Sequence, residues 1–217
     1  MEYKVVIDTT EYTDADIQSG NIERPLFDEF GIGNACMAML KIVFKQKSTI
    51  PRMSKIVPKA LVDGQWEQLG VFYLDERSVK PTGVMTVVAY DSMLKADKVW
   101  VPDQSLEFPM PMDDAVDVIA GLMGIEVDTR TKVSSTYTID YPANDYTLRD
   151  VLKYIAVANG GNWTITREDK LLLVPLVGST PPETHYLIEE EGFAITFGGD
   201  RILVWTEKFL LGRRPYD

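Results

Sequence analysis

The sequence is poor in the residues from which many enzyme and metal sites are built. It has one cysteine, Cys36, and one histidine, His185, among 217 residues. A single cysteine excludes an intramolecular disulfide and any metal site with several cysteine ligands, and it fits a chain kept in a reducing compartment. We therefore expect no disulfide, and we assign no catalytic residue, no cofactor and no metal ligand.

Long hydrophobic runs are also missing. No stretch approaches the roughly 20 apolar residues that a membrane-spanning helix needs. The first residues, "MEYKVVIDTTEY", include acidic side chains and no extended apolar core, so they do not form a signal peptide. We expect a soluble protein without a membrane partner.

The sequence also has fewer basic than acidic residues. The chain has 22 lysines and arginines against 33 aspartates and glutamates, which gives a net charge of -11. This excess of negative charge opposes electrostatic attraction to a phosphate backbone. We predict no specific binding to nucleic acid.

A two-residue hydrophobic periodicity dominates the first hundred residues. In "CMAMLKIVFK" (36–45), one side holds only apolar residues and the other side holds Lys41 and Lys45, as in a half-buried strand. The apolar side consists of Cys36, Ala38, Leu40, Ile42 and Phe44. Asp63-Gly64 is a favoured hairpin turn between two further segments of this kind. The pattern predicts about six strands in an antiparallel barrel or sandwich. The other predicted strands are residues 3–8, 16–23, 59–62, 65–76 and 84–90.

Two short helices with similar sequences follow, "DAVDVIAGLMG" at 114–124 and "DVLKYIAVANG" at 150–160. Thr147 and Asp150 form a capping-box pattern before the second helix, and glycines end both helices. Helices of about three turns are marginal in water, so packing must hold them. The predicted apolar stripes are Ala115, Val116, Ile119, Leu122 and Met123 in the first helix, and Leu148, Val151, Leu152 and Ile155 in the second.

Each helix is followed by strand-like sequence. Residues 125–128 read "IEVD", and residues 162–176 read "NWTITREDKLLLVPL", with a charged turn between two apolar segments. The simplest arrangement places both helices on a short sheet. The predicted fold class is α+β, mainly β: an antiparallel β-barrel-like tube domain followed by a small α/β module with two short helices.

Two motifs resemble functional sites but have simpler structural interpretations. "FGIGNAC" contains Gly31 and Gly33, yet Cys36 stands where the dinucleotide-binding fingerprint has its third glycine, and a predicted strand follows. A turn is therefore the better interpretation. Cys36 and His185 could serve as a nucleophile and its base, but Cys36 falls on the apolar side of a predicted strand, where a buried thiol is inert.

The acidic clusters also have structural interpretations. Asp113, Asp114 and Asp117 could pair as acid and base, but carboxylates at the start of a helix oppose the helix dipole without any chemistry. His185 could bind a metal only with help from carboxylates, and the acidic run 189–191 is typical of a solvated turn.

The order of several segments resembles the N-terminal hub region of bacteriophage and prophage tail proteins. These segments are "GVFYLDERSVKPTGVMTVVAYDSMLKAD" (70–97), "AVDVIAGLMGIEVD" (115–128), "YTLRDVLKYIAVANGGNWTITREDKLLLVPL" (146–176) and "AITFGGDRILV" (194–204). The family is variously described as minor tail, baseplate hub or tail-associated protein. The resemblance covers most of residues 1–205 and is carried by segment order, since no single motif is diagnostic.

The resemblance implies β-barrel tube domains that assemble as a trimer and continue the tail tube, with an α/β insert between two barrels. Residues 1–103 would be the first barrel, and 104–183 the insert with its two helices and hairpin. Residues 184–217 would begin a second β domain that is incomplete. A truncation, a fragment of a longer hub protein and a natural short form all fit this ending.

The implied function is that of a non-enzymatic structural hub or adaptor at the tail tip or baseplate. Its implied partners are further copies of itself, as a homotrimer, and tail tube, distal tail or tape-measure proteins. The chain would be part of the virion tail, assembled in the cytoplasm of the bacterial host. Two alternatives remain: a tail-associated cell-wall hydrolase lacking its catalytic region, and a carbohydrate-binding or adhesion module. For the second, Trp66 and Trp163 could stack on sugars, although strand alternation favours packing in a core or an interface.

Overall fold

A computed structural model describes residues 2–27, 31–102, 105–143 and 145–176, together with the backbone of residues 185–186, 196–197, 200–201 and 203–204. The chain forms two compact units, residues 1–177 and 178–217. In the second unit, β14 (His185–Tyr186) pairs with β17 (Leu203–Val204), and β15 (Thr196–Phe197) pairs with β16 (Asp200–Arg201). The incomplete second β domain predicted for residues 184–217 stays a prediction.

An antiparallel, nearly closed, barrel-like sheet of eight strands occupies the first part of the larger unit. The strands are β1 (Tyr3–Ile7), β2 (Thr10–Thr13), β3 (Ile17–Glu23), β4 (Met39–Lys45), β5 (Lys55–Val62), β6 (Gln65–Gln68), β7 (Phe72–Val79) and β8 (Val84–Tyr90). Their order in the sheet is β2-β1-β5-β7-β8-β4-β3, and β6 pairs with β5. The turn at residues 14–16 connects β2 to β3, the two end strands, which do not pair with each other.

The two-residue periodicity of the sequence fills the inside of this sheet. In the β4–β8 pair, Leu40 lies opposite Ala89 and Phe44 lies opposite Met85, and all four side chains are buried. Residues between them in sequence, such as Lys41, point to the other face, because successive side chains of a strand alternate. The mainly β, barrel-like fold class is therefore confirmed.

The two predicted helices pack with a short sheet in a second core. A three-stranded sheet has the order β10-β13-β12, and Ile119, Ile155 and Trp163 are buried together in one cluster with its strands. The elements are a 3-10 helix (Ser92–Asp97), β9 (Met110–Pro111), α1 (Met112–Met123), β10 (Glu126–Val127), β11 (Thr138–Ile139), α2 (Leu148–Ala158), β12 (Gly161–Ile165) and β13 (Lys170–Pro175). No helix in the described part of the chain is both long and apolar enough to cross a membrane.

The helix ends follow the sequence signals. At the start of α2, the Thr147 hydroxyl and the Asp150 carboxylate exchange hydrogen bonds with each other's backbone N–H groups, which is the predicted capping box. At the end of α1, Gly124 adopts a left-handed conformation with φ of 69°, and its N–H bonds to carbonyls of the last turn.

One predicted stripe position is wrong. Leu122 of α1 is 45% exposed, whereas Ile119 and Met123 on the same helix are buried. The buried face of α1 consists of Ala115, Val116, Ile119, Ala120 and Met123, and Leu122 lies outside it.

Two strand predictions also differ from the structure. The predicted strand 65–76 divides into β6 and β7 around Gly70, whose φ is 153° and whose added Cβ would collide with the Arg24 guanidinium. The predicted strand 36–45 begins only at Met39, because the residues before it pair with a different sheet.

Residues 33–36 form that second pairing, and it joins the two cores. The Trp163 N–H donates to the Asn34 carbonyl at 2.8 Å, and the Cys36 N–H donates to the Trp163 carbonyl at 3.0 Å. Ala35 and Trp163 are parallel neighbours, so this segment adds an edge to the β10-β13-β12 sheet. The core around the helices also includes Met93, Ala96 and Trp100. The domain boundaries at residues 103 and 183 stay predictions.

We expect Ile119→Ala and Ile155→Ala each to lower the free energy of unfolding by about 2 to 5 kcal/mol, because each substitution leaves a cavity in the core around the helices. Urea denaturation of the parent and the variants measures the change. Leu122→Ala and Asp114→Asn change exposed positions of α1 and should have little effect. Equal stability of the isoleucine variants and the parent would contradict the assigned buried faces.

Candidate interaction surface

The barrel-like sheet is open along one seam, beside β3. This strand pairs with β4 on one side only and ends the sheet. Within the described residues, no backbone hydrogen bond outside the β3–β4 ladder involves positions 17–23. The outer edge of β3 therefore presents unpaired main-chain donors and acceptors.

A cleft of about 540 Å³ lies between this edge and the opposite side of the sheet. We call it the seam cleft. Its walls are β3 and the paired strands β1 and β5, and its interior is mainly apolar. It is lined by Tyr3, Val5, Ile17, Ile22, Leu40, Ile42, Pro58 and Leu69, and by Lys4, Asp14, Ser19, Gly20, Asn21 and Lys59.

Arg24 follows β3 directly and binds Leu69, one of the residues that line the seam cleft. Its guanidinium donates to the Leu69 carbonyl, lies 5.5 Å from the centre of the Phe72 ring and reaches the Ile165 carbonyl at 3.4 Å. Burial lowers the pKa of Arg24 from its usual value. With carbonyl partners on β12 and beside β6, this guanidinium links the barrel-like sheet to the second core.

Two lysines stand on the wall of the seam cleft opposite β3. Lys4 and Lys59 are direct neighbours in the β1–β5 register. The Lys4 ammonium lies 2.9 Å from a Glu11 carboxylate oxygen and 4.5 Å from the centre of the Trp66 ring. Within the described residues, Lys59 has no ion-pair partner.

Asp91 connects the barrel-like sheet to the 3-10 helix and is 1% exposed. Its carboxylate accepts the Ala38 N–H at 2.9 Å and the Met93 N–H at 3.0 Å. Burial raises the pKa of Asp91 to about 7, while the two N–H donors and the positive charges of Arg24 and Arg149 oppose that rise. The strand β8 thus ends on a buried carboxyl that fixes the start of β4 and the start of the next helix.

Arg149 of α2 reinforces this connection. Its guanidinium donates to the Asp97 carboxylate at 2.9 Å and to the Met93 carbonyl at 3.1 Å, so it binds both ends of the 3-10 helix. The same guanidinium contacts the Met37 sulfur at 3.4 Å. The first turn of α2 is thereby attached to the segment that leads into β4.

Several large apolar residues on α2 and in the segments before it are exposed. We call Val99, Val101, Tyr146, Tyr154 and Val157 the insert band. Val101 is 80% exposed and Tyr154 is 59% exposed. Val99 pairs with Thr147 beside Tyr146, and the rings of Tyr146 and Tyr154 meet edge to face with centres 5.7 Å apart. Several large apolar side chains exposed together are typical of an interaction surface.

The structure does not bring the candidate motifs of the sequence together into one site. Cys36 is 1% exposed and lies before β4 in the segment paired with β12. Gly31 and Gly33 belong to the loop that leads into this pairing, and no helix follows them. The side chain of His185 and the acidic run 189–191 lie outside the described residues.

The other candidates from the sequence are the aspartates of α1 and two tryptophans, and the structure gives the position of each. Asp113 and Asp114 lie in the first turn of α1. Trp163 is fully buried and its indole N–H donates to the Leu152 carbonyl at 2.7 Å, whereas Trp66 is partly exposed beside Lys4. In the described ranges, no group of three or more histidine, cysteine, aspartate or glutamate side chains is placed to hold a metal ion.

Sequence reasoning did not find Asp91, Arg24 or the free edge of β3. Asp91 is a polar residue between two apolar segments, and its Asp-Ser start to a short helix is a capping signal. Nothing local to Arg24 indicates burial, because its partners are Leu69 and Ile165, far away in sequence.

These features define a class: a mainly β protein with an open barrel-like sheet joined to a small module of two helices on a short sheet. Two solved structures share this fold with the chain. The 43 kDa tail protein of prophage MuSo2 from Shewanella oneidensis has a TM-score of 0.60 and 16% identity, over 86% of this chain. The tail protein from Neisseria meningitidis MC58 has a TM-score of 0.57 and 14% identity, over 85% of this chain.

The chain covers only part of these proteins, 58% of the Shewanella protein and 55% of the Neisseria protein. Neither a family model nor a curated protein matches the sequence. The comparisons therefore show that the chain shares its fold with these two tail proteins.

We expect Asp91→Asn to flatten the pH dependence of stability. In the parent, the folded state keeps a proton on Asp91 between about pH 4 and 7 while the unfolded state loses it, so stability falls as pH rises through this window. The fall amounts to about 4 kcal/mol at most. The variant carries no titrating group there, and thermal unfolding between pH 4 and 8 measures the difference.

Asp128→Asn is the matched control. Arg130 lowers the pKa of Asp128, so this carboxylate contributes stability above about pH 4 that is lost at lower pH. The control should keep the parent's slope between pH 4 and 7. An Asp91→Asn variant with the parent's slope would show that Asp91 does not titrate in this window.

Proposed function

We propose that this chain is a structural component of a phage or prophage tail, acting as a hub or adaptor at the tail tip or baseplate that continues the tail tube. The observation that carries the proposal is the fold shared with two tail proteins, one of them from a prophage, over more than four fifths of the chain. Its partners would be further copies of itself and tail tube, distal tail or tape-measure proteins, and its place would be the virion tail, assembled in the host cytoplasm.

Two surface features support an assembling role. The sheet ends in β2 and β3, and the outer edge of β3 has no backbone partner among the described residues, so this edge invites contact with another chain. The insert band exposes valine and tyrosine side chains on a unit with two buried cores of its own. A chain with free edges and an apolar surface gains stability from neighbours.

Structural interpretations account for the residues considered for an enzyme. Cys36 is buried in the segment that pairs with β12, and Asp113 and Asp114 lie in the first turn of α1, where carboxylates oppose the helix dipole. A hydrolase lacking its catalytic region remains the alternative. A carbohydrate-binding module is the other, and a glycan array with the purified chain distinguishes it from a hub.

We predict that the chain forms a homotrimer, in solution or on assembly into tails. Light scattering at high protein concentration gives the mass of the isolated chain, and electron microscopy of assembled tails shows whether it forms a ring. Because the insert band is exposed, Tyr154→Asp should weaken assembly if the band lies at a subunit contact, while Tyr154→Phe should not. A monomer at high concentration together with tails that contain no ring would contradict the proposal.

We also predict no measurable affinity for duplex DNA at physiological salt. A conduit for DNA works best when its wall does not hold phosphates, and a net charge of -11 opposes such contacts. A DNA titration at two salt concentrations tests this. Micromolar binding that weakens steeply with salt would contradict the conduit role.

A further inference from the structure

We propose that the seam cleft binds an extended segment of another polypeptide, which pairs its main chain with the free edge of β3. The segment has apolar side chains at alternate positions and acidic side chains between them. This inference does not rest on the tail function, since it follows from the wall, the interior and the rim of the cleft.

The free edge of β3 selects for a polypeptide. β3 runs for seven residues, and its outer main-chain groups have no partner in the described chain. An extended peptide satisfies such a row by adding a strand, with hydrogen bonds that repeat along both chains. A compact small molecule satisfies only one or two of these groups.

The interior of the cleft selects for alternate apolar side chains. Val5, Leu40 and Ile42 face it from β1 and β4, and all three lie on the inward side of their strands. A strand added to β3 directs every second side chain to this inward side and the others to solvent. The cleft volume of about 540 Å³ has room for several aliphatic side chains.

Gly20 keeps the cleft open. It lies at the centre of β3 opposite the buried Ile42, and a Cβ added to it would meet only the Ile42 side chain, at an ordinary 3.8 Å. By contrast, a Cβ at Gly33 or Gly161 would collide with neighbouring atoms. Glycine weakens a strand relative to alanine, and nothing in the described chain requires it at position 20. The space beside Gly20 is available to a residue from another chain.

The rim of the cleft selects for acidic side chains. Lys4 and Lys59 lie directly opposite each other, and like charges in that arrangement are destabilising. Glu11 neutralises Lys4, which leaves Lys59 as the uncompensated charge on this wall. An acidic residue on the added strand complements Lys59.

Three synthetic heptapeptide pools test the proposal on the full chain by fluorescence anisotropy. The acidic pool alternates valine or leucine with aspartate, glutamate or threonine, and the basic pool has lysine in place of the acids. We expect saturable binding of the acidic pool that is about tenfold tighter than that of the basic pool. A third pool, the acidic one methylated on alternate backbone nitrogens, should lose this binding, because it cannot form the strand ladder.

Two substitutions locate the binding. Gly20→Leu fills the cleft from within and should abolish binding of the acidic pool, while Ser78→Leu adds the same side chain to an exposed position of β7 and should not. Lys59→Glu should remove the preference for the acidic pool. Thermal unfolding of each variant verifies its fold. If Gly20→Leu does not fold, the proposal is tested by two other measurements: the loss of acidic-pool preference in Lys59→Glu and the loss of binding by the methylated pool.

Three outcomes would overturn the proposal. Absence of saturable binding by the acidic pool excludes a strand site. Equal binding to the parent and to a folded Gly20→Leu variant places the site elsewhere. Equal binding of the methylated pool shows a pocket for apolar ligands in general, without strand pairing.

Discussion

The pairing of residues 33–36 with β12 is the interaction on which the arrangement of the larger unit depends. The same short segment is an edge of the β10-β13-β12 sheet and leads directly into β4 of the barrel-like sheet. Asn162 secures it: the side-chain oxygen accepts the Asn34 N–H at 2.9 Å, and the side-chain nitrogen donates to the Leu26 and Gly31 carbonyls. Because Asn162 is fully buried, losing these partners would leave buried polar groups unsatisfied.

The contacts around this pairing couple the two cores through charged groups at their margins. Arg24 donates to the Leu69 carbonyl beside the barrel-like sheet and to the Ile165 carbonyl in the second core. Arg149 binds both ends of the 3-10 helix. Burial raises the pKa of Asp91, and the positive charges of both arginines oppose that rise. A buried carboxyl with a pKa near 7 is tolerated there because two backbone N–H groups already bind its oxygens. The junction between the two cores therefore combines a main-chain ladder with polar side chains that bind one another's neighbours. Removing one of these side chains would leave its buried partners without a hydrogen bond.

The sequence predicted those parts of the fold that depend on local patterns. Alternation in residues 39–45 identified the buried face of β4, and Thr147, Asp150 and Gly124 marked helix ends, because capping and strand alternation act within a few residues. The prediction that Leu122 is buried was wrong, because helical periodicity shows which side of a helix is apolar but not how much of that side a partner covers.

The parts that could not be predicted depend on residues distant in sequence. Asn34 and Asn162 are 128 positions apart, and no local pattern indicates that a loop will pair in parallel with a hairpin strand. The division of β6 from β7 has the same origin, because Arg24 occupies the space beside Gly70. The seam cleft was also unpredictable, since its lining comes from strands that are distant in sequence, β1, β3, β4 and β5.

The second core limits where the barrel-like sheet can contact another chain. Around the β12–β13 turn, the Gln68 amide donates to the Arg167 carbonyl and the Tyr73 hydroxyl donates to the Asp169 carboxylate at 3.3 Å, so the second core contacts the end of β6 and the start of β7. The free edge of β3 is left open, and the insert band lies on the same compact unit. The barrel-like sheet and the second core are joined by the pairing of residues 33–36 with β12 and by the hydrogen bonds of Arg24 and Asp91, and are therefore held in one arrangement. A chain bound at the seam cleft and a chain bound at the insert band would consequently take a fixed position relative to each other, which is the mechanical requirement for an adaptor.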